Sequence, residues 1–240
     1  MRATIYLVRH GEVEHHRDDI GITERGHEQA RRAADAISAR IDQGDAVYIY
    51  HAPVKRVSET AADIHQQLSA RFTLPPIQAD DSLCNVRFMA QIDGKDQIEE
   101  PSLLYVQLTR DPAYMNSLPS VRADFYRNFW AGDDPMGYWL SHAQYSDGGA
   151  ELPETVLNRL LTRIREIFAA NANIPTHSHW IMVTHSGALR VFLRHAFGRD
   201  PGEPDYCGIV TLEPSARPNQ VALSYQNTLR TVILNGMKNL

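Results

Sequence analysis

The chain has 240 residues, 43% hydrophobic and 22% charged, as expected of a soluble globular protein with one large domain or two small ones. Lys and Arg number 24 against 29 Asp and Glu, a formal charge of −5 that argues against broad nucleic-acid binding. No apolar run approaches the ~20 residues of a membrane helix, and the two cysteines, Cys84 and Cys207, form no CxxC pair or disulfide framework. A cytoplasmic location is the default expectation, and the sequence carries no signal for oligomeric state.

Ile5 to Val8 is a short apolar run that predicts a buried strand, with Arg9-His10-Gly11 at its end. In α/β folds, ligands bind beyond the carboxyl ends of the strands. A polar loop with His15 and His16 leads to Thr23, whose hydroxyl suits a helix cap. Ala30, Ala33, Ala34, Ile37 and Ile41 then recur at helical spacing. Ala46 to Tyr50 reads as a second buried strand, and His51-Ala52-Pro53 turns the chain into a helix with the stripe Val54, Val57, Ala61, Ile64 and Leu68.

Pro75-Pro76 ends that pattern, and a short extended piece begins at Ile77. From about 83 to 150 the periodicity is poor and turn signals abound, among them Asp93-Gly94 and Asp111-Pro112. Short helices are expected near 102–110, 119–130 and 136–143, in a cap inserted at about 86–150. Nine of the chain's twenty aromatics fall within 101–150. They read first as a local core holding the insertion together, and second as a pocket wall for a bulky substrate.

Helical order returns at Pro153 with Val156, Leu157, Leu160, Leu161, Ile164, Ile167 and Phe168 on one face. Trp180 to Thr184 predicts a third buried strand, ending in His185-Ser186-Gly187 before another helix. Cys207–Leu212 and Gln220–Tyr225 are two more strands, antiparallel or at an edge. The alternation predicts an α/β sandwich with a mostly parallel sheet.

The ends of such strands can converge, which would gather Arg9, His10, Arg56 and His185. Two guanidiniums offer bidentate hydrogen bonds to a phosphoryl group. A neutral imidazole between them can attack phosphorus, because adjacent positive charge lowers its pKa. His185 can bind or protonate a phosphoryl oxygen. Phosphoryl transfer needs mainly positioning and charge neutralisation, and this set supplies both. His15-His16 and His177-Ser178-His179 could suggest metal ligands. Solvated loop histidines are the preferred reading, since no cysteine or carboxylate set completes a site.

Arg9-His10-Gly11-Glu12, Thr23-Glu24-Arg25-Gly26, Pro53-Val54-Lys55-Arg56 with Thr60-Ala61, and Val183-Thr184-His185-Ser186-Gly187 together resemble the histidine phosphatase superfamily, which contains the cofactor-dependent phosphoglycerate mutases. The resemblance spans about 1–85 and 150–225. It implies a three-layer α/β/α sandwich of phosphoglycerate mutase type, here a single domain over 1–240 with the cap inserted. It also implies that His10 becomes a phosphohistidine that water hydrolyses, with Arg9, Arg56 and His185 around the phosphoryl oxygens and no metal or cofactor. By position, His16, Thr23, Asn85 and the backbone of Ser186 would lie near the phosphate.

Asn85 departs from the pattern, because relatives usually carry a glutamate there that protonates the leaving oxygen. Three explanations stand open. A nearby carboxylate such as Asp81 takes over, the leaving group departs unassisted as in an anhydride, or the protein binds more than it cleaves. The retained reading is a phosphatase acting on a small phosphomonoester, with Asp81 or solvent as proton donor. A phosphoglycerate mutase-like transferase is the first alternative, and a low-turnover phosphate-binding or regulatory protein the second. The segment 86–130 is not rich in Lys and Arg, which disfavours polyanionic substrates.

Overall fold

The computed structural model describes residues 3–92, 95–110, 112–217 and 219–234. The chain begins with β1 (Ala3–Arg9), every residue of which is buried, as the continuous apolar run requires. Helix α1 (Glu24–Ser38) starts at Thr23, whose Oγ1 accepts a hydrogen bond from the Gly26 amide at 3.1 Å. Strand β2 (Ala46–His51), α2 (Lys55–Ser69) and a two-residue β3 (Gln78–Ala79) follow.

The insertion comes next: a hairpin of β4 (Phe88–Ile92) and β5 (Lys95–Glu99), then α3 (Pro101–Arg110), α4 (Pro112–Ser117), α5 (Ser120–Ala131) and α6 (Pro135–His142). The three expected helices are α3, α5 and α6; the hairpin and α4 are additions that the weak periodicity did not signal. Asp93 and Gly94, and Asp111 of the Asp111-Pro112 signal, lie outside the described residues. The chain closes with α7 (Pro153–Ala170), β6 (Ser178–Thr184), α8 (Ser186–Phe197), β7 (Ile209–Pro214), β8 (Gln220–Tyr225) and β9 (Thr228–Ile233).

Seven strands form one sheet in the order β3-β2-β6-β1-β7-β8-β9. Neighbours from β3 through β1 run parallel, while β7, β8 and β9 add antiparallel at one side. Strand β9 was not expected from the sequence. Its hairpin turns at Gln226 and Asn227, both with positive φ (44° and 62°), the geometry of a type I′ turn without the glycine that usually marks one. Leu229 and Ile233 on that strand are exposed, which hides the alternation a half-buried strand would show.

Helices pack as two pairs, α1 with α2 and α7 with α8, flanking the sheet. Ile5, Leu7 and Val8 meet Ile181, Met182 and Val183 in one hydrophobic cluster with Leu160, Ile164 and Phe192. The cap joins this cluster through Phe88, around which Phe125, Tyr126, Phe129 and Trp130 gather with ring centroids 4.8–5.9 Å away. Tyr126 Oη donates to the carbonyls of Met89 and Gly149, tying the hairpin to the far end of the insertion. The aromatics are therefore mainly a local core.

Candidate active site

Register brings the chemistry together. Arg9, the last residue of β1, pairs with Thr184, the last of β6, and the His10 amide donates to the Thr184 carbonyl at 3.0 Å. His185 caps α8 and Arg56 lies in the first turn of α2. All four residues line one cavity of about 350 Å³ at the carboxyl ends of the parallel strands. The expected convergence of Arg9, His10, Arg56 and His185 is what the structure contains.

The His10 ring lies 5.5 Å, centroid to centroid, from that of His185. Its Nδ1–H donates to the Gly11 carbonyl at 2.8 Å, which leaves Nε2 as the lone-pair nitrogen. Burial, reinforced by Arg56, His185 and Arg9, holds His10 well below the usual imidazole pKa, so the ring is neutral at pH 7. His185 is likewise pushed down, by burial first and then Arg56. Its Nδ1 lies 3.4 Å from Arg56 Nη2 as an acceptor, so its Nε2 carries the hydrogen.

Each arginine is held by a carboxylate. Arg56 Nη2 donates to Glu100 Oε1 at 2.5 Å, and Ser102 holds the other Glu100 oxygen through its amide at 2.8 Å and its hydroxyl. Burial would raise Glu100, but the Arg56 guanidinium and the Ser102 hydrogen bonds outweigh it and keep the carboxyl below its usual range. Arg9 Nη2 meets Glu203 at 2.7 Å, its Nη1 donates to the Pro204 carbonyl, and the guanidinium stacks 3.9 Å over Tyr206.

These clamps leave hydrogen-bonding atoms over. Among the described residues seven buried side-chain polar atoms lack a partner, and five belong to residues lining this cavity: Arg9 Nε, Arg56 Nε and Nη1, His185 Nε2 and Asn85 Oδ1. An unpaired buried donor costs about 1–3 kcal/mol. Four such donors around a neutral imidazole can bind the oxygens of an anion. The amino end of α8, which begins at Ser186, adds its dipole.

Other candidates fall differently. His16 and Ser186 line the cavity, with His16 Nε2 3.3 Å from Tyr206 Oη and Ser186 Oγ donating to Glu203 Oε2 at 2.5 Å. Asn85 lines it as well, packed so tightly on Gly187 that a Cβ there would sit 2.4 Å from Asn85 Oδ1. Thr23 caps α1 and donates to Glu12 at 3.2 Å; it is not among the cavity residues.

Asp81 is not brought to the cavity, contrary to its expected role as proton donor. Asp80 caps the 3₁₀ turn Asp81–Leu83 and Leu83 is fully buried, which turns Asp81 outward; its side chain is 79% exposed, 3.9 Å from Arg87. The carboxylates that do line the cavity, Glu100, Asp133, Asp134 and Glu203, had no motif around them. Glu203 reaches Arg9 from a loop 194 positions on, a distance no local pattern reports.

His179 is a strand residue rather than a solvated loop residue, while His177 does lie in the loop before β6, half-buried. His179 is buried, with Nδ1 3.1 Å from Tyr6 Oη and Nε2 3.0 Å from Asp45, while His177 Nε2 meets Thr4 Oγ1 at 3.0 Å. Asp45 thus stands beside both histidines, and hydrogen bonds account for the group.

A model of the histidine phosphatase superfamily (branch 1) matches residues 5–120 and 130–226. No curated protein matches the chain in sequence. Among solved structures, the Bacillus stearothermophilus protein YhfR superposes with a TM-score of 0.57 at 19% identity, covering 94% of this chain and 96% of its own. A phosphoglycerate mutase from Bacillus anthracis gives 0.56 at 15%, covering 96% and 91%. A phosphoserine phosphatase from Entamoeba histolytica gives 0.53 at 15%, covering 95% and 96%. At these identities the likeness speaks for the fold. Among the described residues, no helix is long and apolar enough to cross a membrane.

Proposed function

The chain belongs to the histidine phosphatase superfamily (branch 1), and from that premise we propose that it is a phosphatase hydrolysing a small phosphomonoester through a phosphohistidine on His10. The observation that carries this reading is the ring of partnerless buried donors on Arg9, Arg56 and His185 around a neutral imidazole whose Nδ1 is already tied.

In the first step His10 Nε2 shares its lone pair with phosphorus and the bond from phosphorus to the ester oxygen breaks. Arg9, Arg56 and His185 Nε2–H neutralise the transferring oxygens. Asn85 has no ionisable proton, Glu100 is kept ionised by Arg56, and Asp81 lies at the surface. Of the other carboxylates at the cavity, Glu203 and Asp134 are paired with Arg9 and Arg190 and Asp133 is exposed, so we assign the leaving oxygen's proton to solvent. In the second step water attacks the phosphohistidine, the N–P bond breaks, its electron pair returns to Nε2, and phosphate leaves. As proposed, no step draws on a metal or organic cofactor. We place the reaction in the cytoplasm, with Cys84 and Cys207 as free thiols.

General acid help is worth about 10²–10⁴-fold, so its absence predicts a steep preference for good leaving groups. The test is release of phosphate from p-nitrophenyl phosphate and from alkyl phosphates, in the parent and in His10→Ala. His10-dependent release, faster with the better leaving group, supports the reading. Formation of an isomeric phosphate ester would select a mutase-like transferase, and tight phosphate binding without release would select a binding protein.

A further inference from the structure

Beyond the phosphoryl site, the same cavity has a second character. Its lining and immediate backing hold three guanidiniums, Arg9, Arg56 and Arg190, against five carboxylates, Glu100, Asp133, Asp134, Asp200 and Glu203. Arg190 is almost wholly buried and is spent on Asp134 and Asp200. The histidines there are neutral, so the balance is negative before any phosphate enters. A phosphate dianion satisfies the donors of Arg9, Arg56 and His185 but deepens that excess.

The excess is not evenly spread. Glu100 and Glu203 are committed to the two phosphate-binding arginines. Asp134 caps α6 by accepting from the Gly137 amide at 2.9 Å and pairs with Arg190. Asp133 is exposed at the cavity's cap side, lining it with Phe129 and Trp130, and makes no hydrogen bond or ion pair among the described residues. Asn85 supplies a second acceptor, the buried Oδ1 with no partner. A carboxylate, an unpaired carbonyl oxygen and aromatic rings lining one cavity are what a cationic, hydrogen-bond-donating group needs.

We propose that the substrate is a zwitterionic phosphomonoester, whose leaving group carries a protonated amine that the cap side of the cavity receives through Asp133, Asn85 Oδ1 and the Trp130 face. The proposal rests on the phosphatase reading for the orientation of the phosphate, and adds the chemical class of the leaving group. Such a group also departs more readily than a plain alcohol, because a nearby positive charge stabilises the developing alkoxide. That suits a site with no acid at position 85. Phosphate esters with carboxylates on the leaving group are excluded by the same lining.

The test measures binding, so that it stands apart from turnover. Calorimetry compares 3-aminopropylphosphonate with butylphosphonate, 3-hydroxypropylphosphonate and 3-phosphonopropionate on the full chain. The amine is expected to bind about tenfold or more tighter than the neutral probes, and the carboxylate most weakly. In Asp133→Asn the advantage of the amine is expected to fall to about threefold or less. Equal affinity for the amine and the neutral probes overturns the proposal, as does an amine advantage untouched by Asp133→Asn. If the amine is preferred yet no His10-dependent hydrolysis is found, the binding class stands and the phosphatase reading falls. If hydrolysis is found without amine preference, the reverse holds.

Discussion

The floor and the roof of the cavity are built on different principles. The floor is fixed by β-register: Arg9 and Thr184 end paired strands, and His10 and His185 follow one residue later on each. Its side chains are buried, and both arginines are clamped by carboxylates. The roof is an irregular insertion held by stacked aromatics around Phe88. It brings apolar surface and acids to the cavity, including Asp133, Asp134 and Met136. On the proposed reading, the sheet would carry the reaction and the cap the choice of leaving group.

If that division is right, substitutions in the two halves must fail in different ways. Arg56→Ala is expected to lower kcat/KM about 10³-fold with the fold intact, the upper end for losing a preorganised donor; steady-state kinetics with a melting curve checks it. Phe88→Ala is expected to cost about 3 kcal/mol of stability, since it empties the centre of the cap cluster. Denaturant titration reads that loss, and an unchanged midpoint would show that the cap does not depend on its aromatics.

The next effect separates the halves by pH. His10 and His185 have folded pKa values well below the ordinary ~6.5, so under acid the unfolded chain takes up protons that the folded chain refuses. Their contribution is present above ~6.5 and is lost as pH falls below it, by up to about 1.4 kcal/mol per pH unit for each ring. Melting curves at pH 7 and pH 5 should show this loss, and His185→Gln should make it shallower. The smallest effect is expected of Asp81→Asn. Its exposed carboxyl lies outside the cavity, so the pH–rate profile should not move and stability should change by no more than about 0.5 kcal/mol.

The floor was legible in the sequence and the roof only in part: three of its helices and its aromatic core could be read, its hairpin and its cavity carboxylates could not. Buried parallel strands announce themselves as apolar runs, and Arg9, His10 and His185 stand directly at their ends. The cap's order comes from Phe88 meeting rings some forty residues later, a tertiary fact with no period. Glu100 and Glu203 escaped because nothing local marks a carboxylate as the partner of a distant arginine. Asp81 was misplaced because its nearness to Asn85 in sequence says nothing about which way a 3₁₀ turn faces. The turn before β9 escaped because Gln226-Asn227 takes positive φ without a glycine.

The proposed reaction depends on one bond, between phosphorus and Nε2 of His10. Rapid quench of the enzyme with a phosphate ester, followed by peptide mass spectrometry under alkaline conditions, tests it most directly. The expected result is a single acid-labile phosphoryl group on His10, formed and lost at rates that match turnover. Turnover that persists in His10→Ala, or a phosphoryl group on any other residue, would contradict it.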